Sequence, residues 1–132
     1  MLTRNTERLN SGLDIGSLAS RFVAVDALPW LARRFPKSRL RFLAEDKATG
    51  THTTLTRMAP GAILPMHEHV GLEQSLVLQG SLTDDHGTVS AGNFVWPPAG
   101  SVHSAHSPDG CLVLGIFAQP NRFVDAQGED FS

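Results

Sequence analysis

The segment GAILPMHEHVGLEQSLVLQG, residues 61–80, contains the pattern that decides the fold of this chain. His67 and His69 lie two positions apart, and Glu73 follows four residues later. In an extended chain, residues two apart point to the same side, so the two histidines project together and Glu73 shares their parity. His103 belongs to a later segment that follows a Pro/Gly turn. If the two segments pair, all four side chains converge.

Three imidazoles and one carboxylate are ligands that suit a divalent transition metal such as iron, manganese, nickel, copper or zinc. Cys111 is the only cysteine, so a thiolate-rich site and an intrachain disulfide are excluded. Cys111 opens an apolar segment and is expected to be a small buried core residue. We therefore predict one divalent metal ion per chain, bound by His67, His69, Glu73 and His103, with iron or zinc favoured over nickel or manganese.

Outside this segment, alternating polarity and turn residues predict about eight short strands and no long helix, which is typical of an antiparallel sandwich or barrel. Residues 40–45 alternate, residues 51–58 are rich in threonine, and residues 84–87 predict a hairpin turn. A strand over 73–79 is expected to end at Gly80. Positive φ or close backbone approach at strand ends is expected of four glycines, Gly61, Gly80, Gly92 and Gly100.

The spacing of these residues resembles the two motifs of the cupin superfamily. The first motif is Gly, five residues, His, one residue, His, three or four residues, Glu, six residues, Gly, and it is matched by Gly61, His67, His69, Glu73 and Gly80. The second motif is matched by Gly92, Pro98, Gly100 and His103. Ser107 stands where that motif ends in Asn, which is usually not a ligand, so the departure leaves the metal-binding set intact.

The resemblance implies an all-β fold, a double-stranded β-helix or jelly-roll barrel of the RmlC-like kind. Residues 38–120 would form the barrel, residues 1–37 a short N-terminal arm and first edge segment packing on it, and residues 121–132 a C-terminal tail. Three leucines of the arm, Leu9, Leu13 and Leu18, are expected to form a short amphipathic turn or to pack on the body. Cupins of this size often form homodimers through N-terminal strands, which is the expectation here.

Within the superfamily, residues 38–118 resemble a group that contains the cupin domain of zinc-dependent anti-sigma factors and small dioxygenases that cleave β-diketones or hydroxyacetophenones. The resemblance implies a mononuclear metal-dependent dioxygenase acting on a small diketone or aromatic substrate. Two alternatives remain open: a non-enzymatic sensor with a closed zinc site, and a metal-dependent isomerase or lyase. About 40 residues precede the first strand, too few for the separate helical domain of the anti-sigma factors.

A pocket for a small organic ligand is expected in the barrel interior, beside the metal ligands. For the large apolar candidates, which are Met66, Leu78, Trp96 and Phe117, the alternative to lining this pocket is ordinary packing in the core. The guanidinium of Arg57 suits the binding of an anionic substrate. The alternative is that Arg57 forms an ion pair at the protein surface. His52 and His86 are interpreted as surface or turn residues. The pocket candidates are Arg57, Met66, Leu78, Trp96, His106 and Phe117.

Charge and hydrophobicity exclude other classes of partner. The formal net charge is −2, and the basic residues of segment 33–41 are interspersed with apolar ones, so no nucleic-acid surface is predicted. The longest apolar runs are far shorter than the ~18 residues that a membrane-spanning helix needs. The N-terminus lacks a basic stretch followed by an apolar one, so a cytoplasmic location is expected.

Overall fold

The computed structural model describes residues 18–125, 127, 129 and 130, so Leu9 and Leu13 lie outside the described residues. Leu18, the third leucine of the predicted arm, is fully exposed. Within the described part, the chain forms ten β-strands and one 3₁₀ turn at Val25–Ala27. The strands are β1 Leu31–Ala32, β2 Ser38–Glu45, β3 His52–Met58, β4 Ala62–Glu68, β5 Glu73–Asp84, β6 Gly87–Ser90, β7 Phe94–Val95, β8 Val102–Ser107, β9 Cys111–Phe117 and β10 Arg122–Phe123.

The strands form one strongly curled antiparallel sheet. Neighbouring strands follow the order β1-β2-β3-β9-β5-β8-β4-β10, and β6 and β7 also pair with β5. The sheet curls into the half-barrel of a jelly roll. The all-β jelly-roll fold predicted from the sequence is confirmed.

Strand β5 connects the two halves of the curled sheet. Its first half pairs with β9, and its second half pairs with β6 and β8. The change occurs at Gly80, which has φ 72° and accepts a hydrogen bond from the amide of Ala91. The sequence predicts the end of a strand here, but the strand continues to Asp84 because the glycine bends the backbone without breaking its pairing.

The apolar core lies on the inner face of the sheet, at the end of the barrel where β3 turns into β4. It consists of Met58, Ala62, Val77, Cys111 and Val113, with Leu64, Leu82 and Val89 packed against it. Cys111 is buried as predicted, and burial raises the pKa of its thiol. The four motif glycines all have positive φ, as expected.

The two ends of the strand order are formed by the edge strands β1 and β10. Residues 121–132 are predicted to be a tail, and within them β10 pairs with β4, placing Phe123 opposite His67. The ring of Phe123 lies 5.2 Å from that of Phe35, which precedes β2. This contact connects the segment between β1 and β2 to β10 across the barrel.

Candidate metal centre

Strands β4 and β8 bring three histidines together inside the barrel. His67 on β4 is the register partner of His103 on β8, and His69 follows one residue after β4. The three rings lie 4.7–4.8 Å apart between centroids. One nitrogen from each ring can be chosen so that all three lie within 4.8 Å of one another. This arrangement could hold a single metal ion.

A bulge in β4 directs His67 inward. Leu64 pairs with Ala105 and His67 with His103, so β4 uses three residues where β8 uses two. The extra residue shifts the alternation of the strand. As a result both Leu64 and His67 face the interior, while Met66 faces outward and is 44% exposed.

The Pro/Gly turn before β8 fixes His69. The amide of His69 donates to the carbonyl of Ser101 at 2.9 Å, and the amide of Gly100 donates to the carbonyl of His69 at 2.7 Å. Gly100 has φ 90°, a conformation that favours glycine. The second motif therefore positions His69 as well as His103.

Each Nδ1 atom faces a hydrogen-bond acceptor. The Nδ1 of His67 lies 2.7 Å from the carbonyl oxygen of Pro65, and that of His69 lies 3.1 Å from the carbonyl oxygen of Ser101. The Nδ1 of His103 lies 2.8 Å from Oδ2 of Asp84. Carbonyl and carboxylate oxygens only accept, so each Nδ1 carries a proton and Nε2 is the nitrogen of each ring that is left to bind a metal.

The Nε2 atoms of His67 and His69 are buried and have no hydrogen-bond partner within the described part of the chain. Both side chains are fully buried. Burial lowers the pKa of His67 to about 4, so this ring is neutral at physiological pH. Two buried nitrogen lone pairs without partners are energetically unfavourable unless they bind something. The donor set fits a divalent transition metal.

Glu73 adds a negative charge beside the histidines. Its Oε1 lies 3.4 Å from Nε2 of His69, without hydrogen-bond geometry. Asn121 donates to Oε1 at 3.0 Å, and Ser75 donates to Oε2 at 2.8 Å. Burial alone would raise the pKa of Glu73, but His69, Asn121 and Ser75 outweigh it and lower the pKa to about 2. The carboxylate is therefore ionised, and its charge offsets part of a cation's charge.

Three further side chains at this site were not predicted from the sequence: Asp84, Asn121 and Arg33. Asp84 was interpreted only as a turn residue, and its Oδ1 does accept the amides of His86 and Gly87 at 2.7 and 3.2 Å. Its other oxygen orients His103. Burial would raise the pKa of Asp84, but these hydrogen bonds together lower it. A hairpin signal in the sequence does not reveal this second contact.

Of the predicted pocket residues, Phe117 shares the inner face with the metal centre. It is the register partner of Glu73, and its ring stacks on His52 with centroids 4.6 Å apart. His52, which was interpreted as a surface or turn residue, is thus half-buried on the same wall.

The remaining pocket candidates do not line the interior of the barrel: Arg57 and His106 lie on the outer face of the sheet, and the others are exposed. Arg57 pairs with Leu112, opposite in parity to the inward Met58 and Cys111, and it lies over the ring of Trp30. His106 alternates with the inward Ala105 and is exposed. The other candidates are exposed as well: Met66 by 44%, Leu78 by 42% and Trp96 by 59%.

Replacing Asp84 by asparagine is expected to weaken zinc binding by about 10- to 100-fold, the usual effect of losing the partner of a metal-binding imidazole. An asparagine amide facing His103 would donate to Nδ1, moving the ring proton to Nε2 and blocking the lone pair. Asparagine retains the oxygen that caps the turn. Zinc affinity is measured by competition with a chromogenic chelator.

The control for this variant is Asp85→Asn. Asp85 is adjacent and exposed, and the substitution removes the same formal charge. Equal zinc affinities for the two variants would show that the contact between Asp84 and His103 does not support metal binding.

A jelly-roll barrel whose interior gathers histidines from two paired strands defines a protein of the cupin class. The chain belongs to the ChrR cupin-like domain family, because the model of that family matches residues 19–120. The resemblance stated from the two motifs is confirmed.

Solved structures with the same fold support this assignment. An RmlC-like cupin from Ralstonia eutropha JMP134 superposes with a TM-score of 0.80 at 20% identity, covering 91% of this chain and 82% of that one. An acetylacetone dioxygenase from Acinetobacter johnsonii gives 0.78 at 17% identity, covering 88% and 85%. The complex of SigE with the anti-sigma factor ChrR from Rhodobacter sphaeroides gives 0.61 at 23% identity, covering 72% and 51%. At these identities the likeness establishes the fold.

The comparison with curated protein sequences finds no match. In the described part of the chain, no helix is long and apolar enough to cross a membrane.

Proposed function

We propose that this cupin binds one divalent metal ion through His67, His69 and His103, with Glu73 as the fourth ligand, and that it acts as a dioxygenase on a small organic substrate. The metal site is supported above all by the three hydrogen-bond contacts of the Nδ1 atoms, because they leave the three Nε2 atoms to face one another as metal ligands. The dioxygenase activity is supported by the likeness of fold to acetylacetone dioxygenases.

In this proposal the chain's own residues set the geometry before metal arrives. Pro65, Ser101 and Asp84 fix the tautomer and orientation of the three rings. Asn121 and Ser75 hold the Glu73 carboxylate next to His69. Because the ligands are already oriented, little conformational entropy is lost on binding. A bound divalent ion would supply Lewis-acid chemistry that polarises a substrate carbonyl.

The proposed substrate is a small diketone or aromatic compound that enters beside Phe117 and His52. These stacked rings form an apolar wall on the same face as Glu73. An apolar wall next to a few polar groups suits a small and largely hydrophobic carbonyl compound.

The dioxygenase proposal predicts that protein loaded anaerobically with Fe(II) consumes O₂ when a β-diketone or hydroxylated aromatic compound is added. The zinc-loaded protein, which has no accessible redox change, is expected to consume none. An oxygen electrode with a panel of both compound classes makes the measurement. If the iron-loaded protein takes up no O₂ with any compound, the dioxygenase proposal fails.

A closed zinc site in a sensor module is the second candidate. Glu73 favours it, since three imidazoles and one carboxylate complete a tetrahedral zinc site with no open position. The matching family is named after ChrR, and the likeness to the SigE–ChrR complex spans about half of that chain. Zinc bound in the protein as isolated, together with absent O₂ uptake, would support this candidate over the dioxygenase. The remaining alternative, a metal-dependent isomerase or lyase, has no specific observation in its favour.

We also propose that the protein is a cytoplasmic homodimer, with residues 1–37 as an arm on the barrel of residues 38–120 and residues 121–132 as a tail. Four large apolar side chains exposed on the outer face of the sheet support the homodimer: Leu78, Phe94, Trp96 and Ile116. Analytical ultracentrifugation tests it, and a monomer at micromolar concentration would reject it.

A further inference from the structure

Arg33 places a positive charge next to the metal centre. It follows β1, where Ala32 pairs with the exposed Arg39 of β2. The guanidinium carbon of Arg33 lies 4.3 Å from the centre of the Phe35 ring and 5.6 Å from that of Phe123. The Phe123 ring in turn lies 5.1 Å from the ring of His67. A continuous series of ring contacts therefore joins Arg33 to a proposed metal ligand.

The guanidinium of Arg33 has no hydrogen bond or ion pair with any residue that the structure describes. Arg122, by contrast, donates to Glu68 at 3.1 Å. Burial lowers the pKa of Arg33 to about 10, and the Glu73 carboxylate opposes this change, so Arg33 remains charged at neutral pH. The N–H donors of its guanidinium are therefore available to an acceptor on a bound ligand.

Glu73 does not serve as an acceptor for Arg33. Its oxygens accept hydrogen bonds from Asn121 and Ser75, and Oε1 faces His69. Its negative charge nevertheless opposes the effect of burial on the pKa of Arg33. The guanidinium carbon of Arg33 and the ring of His67 thus lie 5.6 and 5.1 Å, respectively, from the centre of the Phe123 ring.

We propose that Arg33 binds the anionic group of the small organic ligand of this site, a carboxylate or an enolate. A planar guanidinium presents paired donors that match the two oxygens of such a group. The ligand class is therefore a small planar organic anion, and neutral counterparts of the same shape bind more weakly. This inference rests on the proposed function only in placing the rest of the ligand toward the metal.

The test compares the wild type with Arg33→Gln and Arg33→Lys, using Arg39→Gln as the matched control on the outer face. Calorimetric titration uses two anions, benzoate and the acetylacetone enolate, and the neutral benzamide, which has the shape of benzoate. Each titration is done with metal-free and with zinc-loaded protein, and zinc affinity is measured separately.

Arg33→Gln is expected to weaken anion binding by about 10- to 100-fold, the range for a hydrogen bond to a charged group. Benzamide binding, zinc affinity and the behaviour of Arg39→Gln should not change, and Arg33→Lys should restore part of the loss. Equal losses for benzoate and benzamide would reveal a merely structural role and overturn the proposal. So would anion binding that does not depend on Arg33, or the absence of anion binding by wild type in both forms. If the wild type binds the anions but does not bind zinc, the proposed metal centre is rejected and the role of Arg33 is not.

Discussion

Replacing His69 by alanine should weaken metal binding by more than the 10- to 100-fold expected for Asp84→Asn, because it removes a ligand and not its support. His69 is fully buried, and its Nε2 has no hydrogen-bond partner in the part of the chain described. A metal that binds only the native state stabilises it by about 2.7 kcal/mol at 100 times its Kd. The wild type should therefore melt at a higher temperature with added zinc, and His69→Ala should not.

The control for this experiment is His86→Ala. The side chain of His86 is 90% exposed at the hairpin turn, so its loss should leave both zinc affinity and the zinc-dependent melting shift unchanged. Equal zinc-dependent shifts for wild type and His69→Ala would contradict the ligand assignment. Loss of the shift in His86→Ala would contradict it too.

Replacing Gly80 by alanine should destabilise the fold by about 2–5 kcal/mol. About 1–2 kcal/mol comes from the positive φ that an L-residue disfavours, and about 1–3 kcal/mol from overpacking. A Cβ at Gly80 would overlap the carbonyl oxygen of Gly110 and lie 2.8 Å from its carbonyl carbon. Because both are backbone atoms of the neighbouring turn, they cannot move aside as a side chain can. Urea unfolding followed by circular dichroism measures the change.

Gly92→Ala separates the two contributions. Gly92 has φ 87°, but a Cβ there would meet nothing within 4 Å. Its substitution should therefore cost only about 1–2 kcal/mol, from the backbone conformation. If Gly80→Ala destabilises the protein no more than Gly92→Ala does, the close approach of β5 to the turn at Gly110 is not a structural requirement.

Local rules were sufficient to predict an all-β fold and part of the cluster of histidines. Spacing of two along an extended chain sets the relation between His67 and His69, and glycine marks the positions of positive φ. The pairing of His67 with His103 required the resemblance to a known family. Residue spacing alone does not indicate which of several antiparallel strands will be neighbours.

The parity of the pocket residues could not be predicted because of irregularities in the strands. Register shifts occur between Leu64 and His67 in β4 and between Val77 and Gln79 in β5. Each shift reverses the inward and outward alternation beyond it. Met66 and Leu78 lie within these bulges and face outward, which no periodic pattern indicates.

Contacts from distant parts of the chain were also beyond sequence reasoning. Asn121 reaches Glu73 from 48 residues away, and Asp84 reaches His103 from 19 residues away. Arg33 belongs to the basic segment 33–41, for which the sequence predicts no nucleic-acid surface, and its guanidinium packs against two aromatic rings. Such contacts depend on how the barrel closes, and single aspartate, asparagine or arginine residues carry no motif.

Elemental analysis of the freshly purified chain, before and after chelator treatment and metal reloading, tests the metal centre most directly. Three preoriented imidazoles and a carboxylate should retain about one equivalent of a divalent transition metal per chain, lose it to the chelator and regain it on reloading. Far less than one equivalent in the purified protein, with no uptake from solutions of iron, zinc, nickel or manganese, would contradict the assignment of these residues as metal ligands.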